Sequence, residues 1–282
     1  MNNKPNLDVA RAAYGNPDYE YGTQYLAWPG HPLDYSHAYT VSNENLRYTT
    51  GLTRSMGRRA LTVAGSGEQP LFYTINGATQ IDTFDISYCA RAIMDIKTQA
   101  IRSGMPYEQY KKLLKDLHFA PSASKVSGVS EILPKIPAHS AQFIRGMDGY
   151  RIFGNGLNPE YYASEMISET EYKTLQKALR GAFKFIWSDV ATLHTQLNGE
   201  YDVINLSNIF EWSPDLIQPT LTNLRNYVRP GGYILVQTGC GMAIGKNMDK
   251  FIDVQDALKD WAKIGINKQD RDTQVIILER TR

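Results

Sequence analysis

The chain is poor in the residues and segments that define several classes of protein. Its 282 residues include only two cysteines, Cys89 and Cys240, and neither lies in a C-x-x-C pair. A disulfide scaffold and a zinc knuckle are therefore not expected, and a reducing cytoplasm is the default location. No apolar run approaches the ~20 residues of a membrane span, and the N-terminus lacks the hydrophobic stretch of a signal peptide. The five histidines show no H-x-x-x-H or H-E-x-x-H spacing, so no metal site is predicted.

The charge balance is also close to neutral. A formal net charge of +1 provides no field for gathering nucleic acid or an anionic membrane. Hydrophobic residues make up 42% of the chain and charged residues 21%, as in ordinary globular proteins. The length favours one α/β domain with an elaboration over two independent domains.

The most informative stretch spans residues 60–85. Its first five residues are the apolar run of a buried parallel strand, and Gly65-Ser66-Gly67 follows where the backbone must turn. A second apolar segment, residues 78–84, ends at Asp85. In a βαβ unit this arrangement places a glycine turn and a carboxylate at neighbouring strand ends, where a nucleoside cofactor binds. The alternative is that the glycines form only a tight turn and that Asp85 caps the next helix.

The stretch departs from the dinucleotide pattern G-x-G-x-x-G. The position three residues after Gly67 is Pro70, which has no backbone N–H to donate to a pyrophosphate. S-adenosylmethionine carries no phosphate and needs no such cradle. The departure therefore favours S-adenosylmethionine over NAD as the cofactor.

The rest of the chain predicts strands, helices and loops in a doubly wound order. Further strands are expected at residues 183–190, 201–207 and 233–237, with an antiparallel pair at residues 264–267 and 273–280. Helices are expected at residues 87–103, with Cys89 on the core face, and at residues 107–117, 161–179 and 253–263. Residues 121–140 predict a loop, and Arg229-Pro230-Gly231-Gly232 predicts a turn. The predicted domains are a Rossmann-like domain of residues 58–104 and 181–282, a helical insertion of residues 105–180 and an N-terminal arm of residues 1–57.

The N-terminal arm is rich in tyrosine and punctuated by proline and glycine. Such a segment is either a lid over a site or an arm whose rings pack on the domain. Ser42 or Asn43 is the expected N-cap of a short helix. The polar cluster around these residues, including Glu44, is a candidate to face the cofactor.

In chain order, the motifs resemble those of class I S-adenosylmethionine-dependent transferases. The similarity covers residues 58–280 through the glycine strand, Asp85, the Asp189 and Asp202 segments and the Arg-Pro-Gly-Gly motif. A narrower resemblance lies in Leu206-Ser207-Asn208-Ile209-Phe210-Glu211-Trp212 and in the helix carrying Lys97. These features are similar to 3-amino-3-carboxypropyl transferases of betaine-lipid synthesis.

The narrower resemblance implies transfer of the methionine-derived chain of S-adenosylmethionine, with release of methylthioadenosine. Because the body of this chain is shorter and polar, a soluble acceptor is expected, as in enzymes that decorate peptide-nucleotide antibiotics of the microcin C type. A small-molecule methyltransferase is the first alternative. A non-catalytic nucleoside-binding protein on the same fold is the second, because a fold does not determine a function.

The resemblance also implies roles for individual residues. Asp85 would accept the ribose hydroxyls, and Asp189 and Val190 would hold the adenine, although Asp189 could instead cap a helix near Ala191. Glu211 would serve as the general base or hold the methionine ammonium group, unless it is only a helix-start carboxylate. Asn43 and Glu44 are candidates for the methionine ammonium or carboxylate, and tyrosine faces are candidates to stabilise the sulfonium cation. The predicted site comprises the cofactor-binding residues Gly65, Ser66, Gly67, Asp85, Ile86, Asp189, Val190, Ser207 and Asn43, the catalytic residues Glu211 and Asn208, and the substrate-binding residues Tyr25, Tyr39, Tyr48 and Trp212.

Overall fold

A computed structural model describes most of the chain. The described residues are 40, 42, 44–53, 57–120, 122–146, 153, 166–211, 216–238, 261–268 and 274–281, and for residues 211, 238, 263–268 and 274 only the backbone is described. Within this part, no helix is both long enough and apolar enough to cross a membrane.

The strands of the described chain form one seven-stranded sheet in the order β3-β2-β1-β4-β5-β7-β6. The first five strands in this order, β3, β2, β1, β4 and β5, are parallel to one another, whereas β7 is antiparallel to both β5 and β6. This topology confirms the predicted doubly wound, Rossmann-like sheet with an antiparallel C-terminal strand. The strands are β1 (Arg59–Val63), β2 (Gln80–Asp85), β3 (Lys184–Trp187), β4 (Tyr201–Asn205), β5 (Val228–Thr238), β6 (Trp261–Lys268) and β7 (Gln274–Arg280).

Helices cover the sheet and fill the long connection between β2 and β3. The described α-helices are α1 (Leu46–Gly51), α2 (Gln69–Ile75), α3 (Tyr88–Arg102), α4 (Tyr107–Phe119), α5 (Ser127–Ile132), α6 (Ala138–Gly146), α7 (Glu169–Ala178) and α8 (Ile217–Leu224). Buried side chains of α3 through α7 form one continuous apolar cluster. Because these helices share a core with α3, they are anchored to the helix that follows β2, while their role as an acceptor-side cap stays a prediction.

The prediction of a loop at residues 121–140 is wrong. These residues include α5, the short 3₁₀ helices Ala123–Lys125 and Leu133–Lys135, and the start of α6. Serine, proline and lysine suggested a loop, but Val129 and Ile132 lie on one face of α5 and are buried. Burial of that apolar face outweighs the weak local helix propensity.

Two predicted boundaries near the end of the sheet are also wrong. The Arg-Pro-Gly-Gly motif lies within β5 as an irregularity of the ladder, because Tyr201 pairs with Val228 and Val203 pairs with Tyr233. Gly231 has a φ of 74°, which a glycine adopts without strain. The helix predicted at residues 253–263 falls mainly outside the described residues, but Trp261 begins β6.

The cap of α1 lies later than predicted. Asn45 is the N-cap, and its side chain accepts a hydrogen bond from the Tyr48 N–H. Ser42 instead accepts a hydrogen bond from the Glu44 N–H at 3.1 Å, which turns the chain before the helix begins. Asn43, the other predicted cap, lies outside the described residues.

Candidate functional site

The two glycines after β1 have different surroundings. Both have positive φ, 51° at Gly65 and 79° at Gly67, so both adopt a conformation that favours glycine. A Cβ added at Gly65 would meet nothing within 4 Å, whereas one at Gly67 would lie 2.6 Å from the Met94 Cα. Gly65 therefore leaves open space at the end of β1, and Gly67 allows α3 to pack against the turn.

The Asp85 carboxylate closes the neighbouring strand end. Its Oδ2 accepts the Gly65 N–H at 2.9 Å, and its Oδ1 accepts the Ser87 N–H at 2.9 Å. Burial raises the pKa of Asp85 to about 6, and hydrogen bonds from the backbone of Gly65, Ser87 and Ile86 oppose that rise. The cap of α3 is the Ser87 side chain, which accepts the Ala90 N–H. Because an ionised carboxylate has about four lone-pair sites, Asp85 can still accept a hydrogen bond from a ligand hydroxyl.

The end of β3 continues the same edge. The Ser188 N–H donates to the Asp85 carbonyl at 3.2 Å, so the Asp189 segment lies beside the end of β2. Asp189 is half-buried, and its Oδ1 accepts the Ala191 N–H at 2.8 Å. Val190 is buried in the apolar cluster that contains Phe84. Asp189 thus forms a local turn, and the helix that follows begins later, with Thr192 rather than Asp189 at its N-cap. The role of Asp189 in adenine recognition stays a prediction.

Ser207 lies where β4 ends and has an unusual backbone conformation. Its φ is 52°, a value uncommon for a residue with a side chain. Its N–H donates to Asn205 Oδ1 at 2.9 Å, and its carbonyl accepts the Gln237 N–H at 2.7 Å. The Ser207 hydroxyl donates to Glu44, and Asn208 Oδ1 lies 3.4 Å from the Ser207 hydroxyl oxygen. The surrounding contacts therefore impose a strained conformation at the end of the strand, a feature that concentrates at functional sites.

Glu44 joins the two halves of the sheet above the strand ends. Its carboxylate accepts the Ser207 hydroxyl from the β4 side and the Gln69 Nε2–H, at 3.0 Å, from the α2 side. Gln69 is held in turn by Thr62, whose hydroxyl donates to Gln69 Oε1 at 2.5 Å. Only 6% of Glu44 is exposed. The strand order reverses between β1 and β4, which is the point where open α/β sheets bind ligands.

A buried ion pair supports the segment that carries Glu44. Lys97 Nζ lies 3.2 Å from Glu68 Oε1, and neither side chain is exposed. The other Glu68 oxygen accepts the Ser42 N–H at 2.6 Å. Burial lowers the pKa of Lys97, and the Glu68 charge opposes that change. The sequence analysis gave no role to Glu68, although a carboxylate next to Gly67 and a lysine within an apolar helix face were visible signals.

Several predicted site residues cannot be located beside these groups. Tyr25, Tyr39 and Trp212 lie outside the described residues, as does Asn43. Glu211 ends the 3₁₀ helix Ile209–Glu211 after β4, but its side chain is not described. The roles of all these residues stay predictions.

The remaining residues of the predicted site are described. Tyr48 is half-buried and packs against the cluster that includes Leu235 and Val275. Ser66 is buried, and its hydroxyl lies 3.5 Å from Glu68 Oε2. Within the described part of the chain, no three histidine, cysteine, aspartate or glutamate side chains are grouped to hold a metal ion. The described site is therefore a set of backbone turns, carboxylates and amides.

No protein-family model matches the sequence, and no curated protein matches it. Similar solved structures include an rRNA methylase from Streptococcus thermophilus, with 6% identity, a TM-score of 0.43 and coverage of 85% of this chain and 98% of that one. Magnesium protoporphyrin IX methyltransferase from Synechocystis PCC 6803, with bound SAH, has 12% identity, a TM-score of 0.42 and coverage of 98% and 94%. The N-methyltransferase NodS from Bradyrhizobium japonicum WM9 has 7% identity, a TM-score of 0.39 and coverage of 86% and 99%. Likenesses this weak do not assign an activity.

Proposed function

We propose that the chain binds S-adenosylmethionine at the ends of β1, β2 and β4 and transfers a group from it to a soluble small molecule. The observation that supports this most directly is the open turn at Gly65 beside the Asp85 carboxylate. The turn leaves room for a ligand, and the carboxylate offers two acceptor oxygens for the hydroxyls of a ribose. Pro70 near the start of α2 removes an N–H that a pyrophosphate would need, which favours a cofactor without phosphate.

Other residues at the same edge of the sheet would bind different parts of the cofactor. Asp189 and the backbone of Val190 would hold the adenine, because they follow β3 next to Asp85. Glu44 would bind the ammonium group of the methionine chain, because its carboxylate spans the crevice between Ser207 and Gln69. A carboxylate in a buried position binds an ammonium group strongly through charge-assisted hydrogen bonds.

Bound S-adenosylmethionine supplies an electrophilic carbon attached to a sulfonium. The protein would contribute orientation, since an in-line displacement needs the nucleophile and the carbon held close together. Methyl transfer is the first proposal. A neutral acceptor also has to lose a proton, and Glu211, just after β4, is our candidate base.

Transfer of the 3-amino-3-carboxypropyl group is a second candidate. It is favoured by Ser207 in the motif that carries that resemblance, because this residue has a strained backbone and contacts Glu44 near the expected methionine chain. The two reactions leave different nucleosides. Methyl transfer releases S-adenosylhomocysteine, and chain transfer releases methylthioadenosine.

Calorimetric titration with these two nucleosides tests the binding proposal without knowledge of the acceptor. Both should bind the wild-type protein, and Asp85→Asn should weaken both by about tenfold to a hundredfold, the effect of losing charge-assisted hydrogen bonds. Asp116→Asn is the matched control, because that carboxylate lies on the surface beside Lys112. Absence of binding by either nucleoside would overturn the proposal.

The same titration tests the role of Glu44. Methylthioadenosine lacks the amino acid portion, so Glu44→Gln should weaken S-adenosylhomocysteine by about tenfold and leave methylthioadenosine unchanged. An equal loss for both nucleosides would mean that Glu44 only supports the fold of the site.

Mass spectrometry then decides which group is transferred. The protein is incubated with S-adenosylmethionine and a pool of cell-extract acceptors, and the released nucleoside is identified. Acceptor-dependent S-adenosylhomocysteine supports methyl transfer, and methylthioadenosine supports chain transfer. Nucleoside binding without turnover on any acceptor would favour a non-catalytic binding protein.

A further inference from the structure

A cavity lies at the opposite end of the sheet from the glycine turn. It has a volume of about 660 Å³ and is lined by the start of β2, the segment between α7 and β3, and Arg59 at the start of β1. Small-molecule sites typically have volumes of about 300–1,000 Å³. Gln80 lines this cavity and Asp85 ends the same strand, so at about 3.3 Å per residue the two sites are roughly 17 Å apart.

Cations outnumber carboxylates on the wall of the cavity. Arg59, Arg180 and Lys184 line it together with one acidic residue, Asp82. Arg59 Nη2 and Lys184 Nζ lie 3.6 Å and 3.4 Å from the same Asp82 oxygen. The guanidinium group of Arg180 is exposed and makes no ion pair or hydrogen bond with the described residues. Three positive charges and one negative charge leave the lining with a net charge of +2.

The structure holds part of this charge in a defined position. Arg59 lies over the ring of Tyr201, 4.4 Å from its centroid, and donates to the Asn198 carbonyl at 2.6 Å. The Tyr201 hydroxyl donates to Asp82 at 2.6 Å, so the carboxylate between Arg59 and Lys184 is also held. Groups fixed before binding lose little conformational entropy when a ligand arrives.

We propose that this cavity binds a phosphate monoester of a small molecule. A phosphate monoester carries a charge of about −1.5 to −2 at neutral pH, which matches the net charge of the lining. Guanidinium groups bind phosphate oxygens through paired hydrogen bonds, and two of the three cations are arginines. Ala78, Ile81, Leu179 and Phe183 supply apolar wall for the body that carries the phosphate. The site is separate from the crevice at Gly65 and does not depend on the transferase proposal.

The test is calorimetric titration of the full chain with phenyl phosphate, using inorganic phosphate as the second probe. Phenyl phosphate should bind saturably and more tightly than inorganic phosphate, because its ring reaches the apolar wall. Arg180→Ala combined with Lys184→Ala should weaken it by at least about tenfold, the effect of losing charge-assisted hydrogen bonds. Both side chains are exposed, so the double variant should remain folded.

A double variant with the same change of charge controls for nonspecific attraction. Lys112→Ala combined with Lys173→Ala removes two exposed lysines elsewhere and should leave phenyl phosphate binding unchanged. Asp85→Asn should also leave it unchanged. Equal losses in the two double variants would overturn the proposal, as would the absence of saturable binding up to about 10 mM.

Discussion

Replacing each glycine of the β1 turn with alanine should have separable effects. Gly65 and Gly67 both have positive φ, so alanine costs about 1–2 kcal/mol of conformational energy at either position. The Cβ at position 67 would also lie 2.6 Å from the Met94 Cα, inside a buried helix that cannot move freely. Overpacking of this kind costs a further ~1–3 kcal/mol. Gly67→Ala should therefore lose about 2–5 kcal/mol of the free energy of unfolding, and Gly65→Ala only about 1–2 kcal/mol.

Ligand binding should rank the two variants in the opposite order. The Cβ at position 65 meets no protein atom and would project into the space that we assign to the cofactor. Gly65→Ala should therefore weaken S-adenosylhomocysteine by more than about tenfold, which corresponds to 1.4 kcal/mol. The folded fraction of Gly67→Ala should bind with a smaller change, because its added methyl group faces α3.

Urea unfolding and calorimetric titration of the same preparations test both rankings. Gly77→Ala is the control for backbone strain alone, because Gly77 has a φ of 95°, faces open space and lies away from the turn. Wild-type affinity in Gly65→Ala would refute the assignment of the cofactor to this space. A stability loss in Gly67→Ala no larger than that in Gly65→Ala would refute the packing role of Gly67.

Three further changes test the buried charges. Lys97→Met should lower the free energy of unfolding by about 3–5 kcal/mol, because Glu68 is left buried without its ion-pair partner. Adding Glu68→Gln should recover part of this loss. A decrease in the free energy of unfolding below about 1 kcal/mol, measured by urea unfolding, would contradict the prediction. The affinity for S-adenosylhomocysteine should rise as pH increases through about 6, because burial raises the pKa of Asp85 to that value and the ionised carboxylate accepts hydrogen bonds. A wild-type affinity that does not change with pH in calorimetric titration would contradict this prediction. So would an Asp85→Asn variant whose affinity depends on pH as that of the wild type does. Burial also raises the pKa of Asp95 from 3.8 to about 6, so the folded state binds more protons than the unfolded state between these values and stability falls as pH rises through them. In Asp95→Asn, the decrease in the free energy of unfolding between pH 4 and pH 7 should be smaller by up to about 3 kcal/mol, as measured by thermal unfolding at the two pH values. A variant whose stability depends on pH as that of the wild type does would contradict this prediction.

Local patterns predicted the half of the site that lies on consecutive elements. The apolar run of β1, the turn at Gly65 and the strand ending at Asp85 follow one another within about 25 residues of sequence, so the topology of a βαβ unit alone brings them together. Ser87 as the start of α3 follows from its position before an amphipathic helix. These parts could be predicted because neighbours in sequence are neighbours in the fold.

Composition misled where tertiary burial decides the structure. Residues 121–140 contain loop-forming residue types, but the spacing of Val129 and Ile132 places both on the buried face of α5. Trp261 was assigned to the end of a helix, yet pairing with Arg280 in the neighbouring strand makes it the first residue of β6. In both cases the deciding contacts involve parts of the fold that a local window does not include.

The other half of the site depends on contacts between residues that are distant in sequence. Local patterns could therefore suggest candidate residues there but could not predict their contacts. Glu68 accepts the Ser42 N–H, and Glu44 meets Ser207 across a separation of 163 residues. A lysine at position 97 would normally be placed on the solvent face of its helix, but burial of that position becomes tolerable once Glu68 faces it. Two contacts therefore hold the segment before α1. The Ser42 N–H donates to Glu68 of the ion pair, and Glu44 accepts the hydroxyl of Ser207 after β4. A change that loosens the Lys97–Glu68 pair should consequently disturb Glu44 as well, so stability and recognition of the methionine chain are expected to vary together in variants of that pair.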